Sequence, residues 1–182
     1  MADASELTGK YNLDPNHSRI GFVARHAMVT KVRGSFNEVQ GNGYLDVDNP
    51  AASTIELEIE AKSVDTRNAD RDNHLRSNDF FDMETYPKIT FVSTAVSKAG
   101  DDTFTVVGDL TIKGVTKSIS FDAELSGPAK DPWGNSRVGL EGRVEVNRKD
   151  WGISFNAPLE TGGVLVSEKV TLEFEVSAVK VG

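Results

Sequence analysis

The chain has 182 residues, no cysteine, 38% apolar and 26% charged residues, and 20 Lys and Arg against 28 Asp and Glu, a formal net charge of −8. Without cysteine there is no thiol nucleophile, CxxC redox pair, thiolate zinc site or iron–sulfur cluster, and a chain of this length closes one domain's core without disulfides. The acidic balance argues against a nucleic-acid partner, which demands a basic face, and against docking on anionic lipid.

The opening residues, MADASELTGK, carry acids where a secretory leader needs a basic start, and they hold no apolar run. Residues 1–10 are therefore read as an N-terminal tail ahead of one domain over 11–182, and the protein as cytoplasmic. No integral membrane segment is expected, because no stretch approaches the roughly 20 apolar residues of a span.

From there the apolar residues recur with period two. Strands are expected at about residues 17–25, 34–48 and 53–65. The clearest pattern is in the third, where Ile55, Leu57, Ile59 and Ala61 share one face and Thr54, Glu56, Glu58 and Glu60 the other. Between Asp65 and Pro87 the alternation stops. Asn68 suits the N-cap of one short helix, and Asp70 and Asp72 suit the positive end of its dipole. Its body, Ala69 to Asp79, has only Ala69 and Leu75 as apolar residues, so it reads as a polar lid over one end of the sheet. Phe80, Phe81 and Met83 follow and need cover.

Five further strands are expected at about 88–97, 102–113, 116–126, 136–147 and 168–181, with a tight hairpin at Thr111–Thr116. Ile119, Phe121, Ala123 and Leu125 alternate with polar residues, as do Val138, Leu140, Val144 and Val146, and Val170, Leu172, Phe174 and Val176. One-faced strands are antiparallel in habit. Eight of them, long and with little helix, point to an all-β barrel or sandwich. An eight-stranded barrel is just wide enough to be filled by side chains or to hold one slim ligand, and the mixed large and small inward residues fit either.

Chemistry is sparse. His17 and His26 fall near opposite ends of one strand, and no HxH or HExxH spacing is present, so no metal and no cofactor are expected. Asn68 to Asp72 resembles half a calcium loop, but Asn73 stands where glycine is needed and Asp79 where the bidentate Glu belongs. There is no GxSxG elbow, and Gly41 to Asp46 is neither a P-loop nor a dinucleotide fingerprint. The residues alone describe an antiparallel β domain that binds something apolar and is not an enzyme.

Longer motifs say more. Tyr11-Asn-Leu-Asp14-Pro-Asn-His17-Ser18-Arg-Ile-Gly-Phe22-Val-Ala-Arg-His26 and Val32-Arg-Gly34-Ser-Phe36 are followed by Asp72-Asn-His74-Leu75-Arg-Ser77-Asn-Asp79-Phe80-Phe81-Asp82. Then come Tyr86-Pro87-Lys-Ile-Thr90-Phe91-Val-Ser93, Gly108-Asp-Leu110-Thr-Ile112-Lys-Gly114-Val-Thr116-Lys and Asn147-Arg148-Lys-Asp150-Trp151-Gly152-Ile153. In this order and spacing the chain resembles the YceI-like proteins from Tyr11 to its C-terminus. The resemblance implies a lipocalin-like, extended eight-stranded antiparallel barrel whose lumen binds a polyprenyl or other long-chain lipid, and a homodimer. Many such relatives are periplasmic.

On that footing Phe22, Phe36, Leu57, Phe91, Phe121, Leu140 and Phe174 are expected to line the lumen, and Leu75, Phe80, Phe81 and Trp151 to wall one end. His26, His74 and Arg148 are the candidates for a head group. The plainer readings are that Trp151 plugs the barrel and that Arg148 pairs with Asp150. Two other functions compete with lipid carriage. One is an enzyme acting on a small hydrophobic substrate through His26 or His74 and a carboxylate. The other is a sealed barrel with a structural or stress role.

Overall fold

The alternating segments form strands in the computed structural model, which describes residues 4–156, 159 and 166–181. A short helix α1 (Ala4–Leu7) precedes β1 (Gly9–Leu13), β2 (Arg19–His26), β3 (Thr30–Phe36), β4 (Val39–Leu45), β5 (Thr54–Glu60) and β6 (Val64–Asp65). Helix α2 (Ala69–Arg76) leads into β7 (Lys88–Lys98), β8 (Thr103–Ile112), β9 (Val115–Lys130), β10 (Ser136–Asn147) and β11 (Lys169–Lys180). Every pairing is antiparallel, and the ring β1-β4-β5-β7-β8-β9-β10-β11 closes because Tyr11 to Leu13 of β1 pair with Lys180 to Ala178 of β11. The lower half of β11 pairs instead with β2, Thr171 opposite Val23, and β2 continues to β3 and β6. β1 with β2, β3 with β4, and β5 with β6 are thus three long strands with a break in each, and the architecture is a closed eight-stranded antiparallel barrel.

The breaks move several boundaries from where periodicity sets them. The first strand begins at Gly9, not near 17, because Asp14 caps a 3-10 turn at Pro15–His17 that interrupts it. The second begins at Thr30, and the third is broken by a 3-10 turn at Ala61–Ser63. β9 runs on to Lys130. The expected tail reaches into the barrel: Leu7 is fully buried in the core, and its carbonyl accepts a 2.6 Å bond from the Tyr11 hydroxyl. The β8–β9 hairpin turns on Lys113 and Gly114 with φ of 52° and 74°, the paired left-handed geometry that suits strand twist.

Asn68 caps α2 through its side chain as its sequence suggests, but the helix ends at Arg76, where the Ser77 amide bonds back to the His74 carbonyl. Asp72 does more than face the dipole. It is buried, and its Oδ1 accepts from the Thr66 amide at 2.8 Å and the Thr66 hydroxyl at 2.6 Å. Arg71 and Arg76 donate to the carbonyls of Thr66 and Val64, so the helix is latched across one end of the barrel. No helix among the described residues is long and apolar enough to cross a membrane.

At the opposite end Arg137 bridges two carboxylates, Asp14 at 2.7 Å and Asp131 at 2.8 Å, tying the β9–β10 turn to the break in the first strand. The Arg137 and His17 bonds hold Asp14 down at about 2. Burial works the other way on Asp131, but bonds from the Asn135 amide and Arg137 bring it to about 2 as well. Both carboxyls are depressed in the folded state, so their contribution is complete above the ordinary value of 3.8 and is lost as pH falls toward 2. Arg137→Met should therefore be less stable than the parent at neutral pH, with the gap closing in acid. Paired acid titrations followed by circular dichroism would show it, and a gap independent of pH would refute it.

Candidate functional site

The register that turns glutamates outward turns Ile55, Leu57 and Ile59 inward, and the same holds around the ring. The interior residues enclose a cavity of about 220 Å³ that is apolar throughout its lining except at Arg148 and at Glu173, whose neighbours Leu172 and Phe174 take the inward register. A second cavity of about 110 Å³, lined by Tyr11, Val96, Phe104, Val106, Leu125 and Val138 among others, adjoins it. Ile55, Leu57, Leu140 and Val176 line both and form the waist between them. An apolar cavity of about 150 Å³ stays dry and accepts a benzene-sized guest, so this lumen is a site for hydrocarbon.

Cross-strand glycines hold the lumen open. The Phe22 ring tip stands 2.4 Å from where a β-carbon on Gly34 would be, and Phe91 stands at the same distance over Gly108. Phe174 lies 2.8 Å from that position on Gly142, its direct cross-strand partner. Each ring leans against the wall over a residue without a side chain, an aromatic–glycine pairing that leaves the axis clear. Contacts between neighbouring rings then stiffen the wall: Phe91 to Phe121 at 5.6 Å, Phe121 to Phe174 at 5.0 Å, and Phe22 to Phe36 at 5.8 Å.

The α2 end is closed by Leu75, Phe80, Phe81 and Trp151, all of which line the larger cavity. Trp151 is 2% exposed, and its indole N–H donates to the Leu110 carbonyl at 2.9 Å, so it both plugs the barrel and walls the lumen. Arg148 is 6% exposed at this end. It does not pair with Asp150. Its Nε donates to the Ser167 carbonyl at 2.9 Å, Nη1 to Ile153 at 2.8 Å and Nη2 to Val166 at 3.3 Å. No carboxylate lies within ion-pair distance of it among the described residues, and burial pushes its pKa down.

Phe22, Phe36, Leu57, Phe91, Phe121, Leu140 and Phe174 all line the lumen, as their strand register dictates. The two histidines do not. His26 is exposed at the end of β2, bridged to Val166. His74 is exposed on α2, where it meets Asp79 at 2.8 Å and the ring faces or edges of Phe80 and Phe155. Histidine at the end of an element can face solvent as readily as ligand, so nothing periodic signals which. Val166, Ala24 and, apart from Leu57 and Leu140, the residues of the smaller cavity are not among the lumen residues expected from sequence, although the alternation of Phe104 and Val106 carries the signal for that cavity.

Residues 11–178 match the YceI-like domain family. A UPF0312 protein of Staphylococcus epidermidis is 43% identical over 172 residues, which cover 93% of this chain and 95% of its own. Among solved structures, BcnA of Burkholderia cenocepacia superimposes with a TM-score of 0.80 at 22% identity, covering 91% of this chain and 98% of that one. A polyisoprenoid-binding domain from Saccharophagus degradans, implicated in plant cell wall breakdown, gives 0.72 at 16% identity, covering 94% and 98%. At these identities the two structures share the fold.

Proposed function

The chain belongs to the YceI-like family, and on that premise we propose that its lumen binds the hydrocarbon chain of an isoprenoid or similar amphiphilic lipid, for transport, storage or sequestration. The observation that carries this reading is the pair of adjoining cavities with an apolar lining, kept open by phenylalanines seated on glycines. Burying hydrocarbon there is worth about 0.8 kcal/mol per methylene, so the chain itself supplies affinity without catalytic or metal groups. The polyisoprenoid-binding description of the Saccharophagus degradans relative in fold supports the same ligand class.

The head group belongs at Arg148. Among the described residues this buried guanidinium hydrogen-bonds to carbonyls, with Glu168 acting on it through its field and not by contact, and an anionic or strongly accepting head adds a direct charge partner. Protein stripped of lipid and offered geranylgeraniol should take up one molecule per barrel by native mass spectrometry, and geranylgeranyl phosphate should bind more tightly. No uptake of either would overturn the lumen reading. Equal affinity for both would overturn only the assignment of Arg148.

A further inference from the structure

We propose that the β2–β3 hairpin is a docking element for anionic lipid bilayers. The stretch Arg25-His26-Ala27-Met28-Val29-Thr30-Lys31-Val32-Arg33 holds three permanent cations and no carboxylate, in a chain of net charge −8. Arg25, Lys31 and Arg33 are exposed. The register sets Arg25 directly opposite Lys31 and puts Arg33 two residues along on the same face. Like charges placed so oppose folding. None of the three has a carboxylate within ion-pair distance among the described residues. Among the described residues the Arg25 guanidinium donates to the Val29 carbonyl of its own turn, at 3.2 Å. The barrel gains nothing from this cluster, and a surface of phosphates does.

The tip points the same way. Met28 and Val29 are 59% and 74% exposed at the summit of the turn. Ala27 and Met28 take φ of 50° and 65°, and the Val29 amide bonds to the His26 carbonyl at 3.2 Å. Asn-Gly fits this turn without strain; alanine and methionine are held in the left-handed region at a cost. An apolar tip below a collar of cations is the layout of an interfacial anchor, with the side chains immersed and the charges level with lipid phosphates.

Acid without cations gathers in the turns at one end of the barrel axis, while the α2 end mixes both signs, Asp65, Asp70, Asp72, Asp79 and Asp82 standing among Lys62, Arg67, Arg71 and Arg76. The three turns at the far end, residues 46–53, 99–102 and 131–135, contribute Asp46, Asp48, Asp101, Asp102 and Asp131 and no Lys or Arg. Screening over about 8 Å at physiological salt isolates the hairpin from those acids, so the net charge of the whole molecule does not govern its tip. Trp133, 80% exposed, is the rival anchor, but it stands in the turn that Asp131 organises. The hairpin also adjoins the lumen: His26 bridges to Val166, which lines the cavity, and the Ser167 amide bonds to the Arg25 carbonyl at 3.0 Å. Docking would set the α2 end of the lumen, where Arg148 lies, against the bilayer. The exterior residues carry this inference whatever the lumen holds.

The absence of cysteine allows a clean test. Met28→Cys labelled with a nitrobenzoxadiazole dye is mixed with vesicles of phosphatidylcholine alone, or of phosphatidylcholine and phosphatidylglycerol in a two-to-one ratio. The dye should shift to the blue only with the anionic vesicles and return in high salt. In sedimentation of the unlabelled chain, Arg25→Gln with Lys31→Gln should weaken partitioning about 30-fold, at about 5-fold per cation, without lowering the melting temperature. Trp133→Ser should leave partitioning unchanged. A dye that stays in water, equal partitioning into neutral vesicles, or loss of binding in Trp133→Ser with the hairpin variant unaffected would each overturn the proposal.

Discussion

Leu140→Trp should turn the barrel into a carrier of short chains only. Leu140 stands at the waist between the two cavities, with Leu125 of β9 and Val176 of β11 as its cross-strand partners. An indole there fills the waist and cuts off the 110 Å³ space, while the walls of the 220 Å³ chamber nearer Arg148 keep their residues. Each five-carbon unit refused burial forfeits up to about 4 kcal/mol, close to a thousandfold in affinity. Geraniol should therefore bind as in the parent and geranylgeraniol far more weakly, measured by displacement of a fluorescent prenyl analogue. Equal losses for both alcohols would mean a damaged chamber rather than a shortened one. No loss for either would mean that chains do not pass the waist.

Trp151→Ala should be the most destabilising single truncation at the α2 end. The side chain is among the largest fully buried ones, and its N–H reaches across to the Leu110 carbonyl on β8. Removing it leaves a hole where the 3-10 turn Arg148–Trp151 meets the barrel, and takes away the hydrogen bond that ties that turn to β8. The expected loss is about 3–5 kcal/mol, or about 10–15 °C in melting temperature for a domain of this size. Trp151→Phe should recover most of the volume term but not the hydrogen bond, and so fall between. Calorimetry of the three proteins would rank them, and a phenylalanine variant as unstable as the alanine one would put the weight on the hydrogen bond.

What the chain reveals in advance follows from what repeats along it. Inwardness is a period-two property, so Leu57, Phe121 and Phe174 could be placed on the lumen face from their own neighbours. The interruptions at Pro15–His17 and Ala61–Ser63 have no such period, and they shift the first strand by eight residues from 17 to Gly9. Whether the lumen is filled or open was not legible either. That depends on Gly34, Gly108 and Gly142 meeting particular rings, and only the strand register says which residues meet. Arg148 looked ready to pair with Asp150 two residues on, but a 3-10 turn carries the two apart and delivers the guanidinium to carbonyls across the fold.

The glycine seats have a consequence for how such a barrel changes its diet. Bore is set at Gly34, Gly108 and Gly142, positions that a bound chain has no side chain to touch, while the phenylalanines it does touch act as hinged shutters. One methyl group added beneath Phe22, on Gly34, would meet its ring at 2.4 Å and swing it toward the axis, narrowing the channel with every lining residue intact. Relatives with the same wall can therefore differ in the guests they admit through substitutions behind that wall, which a comparison of lining residues alone would miss.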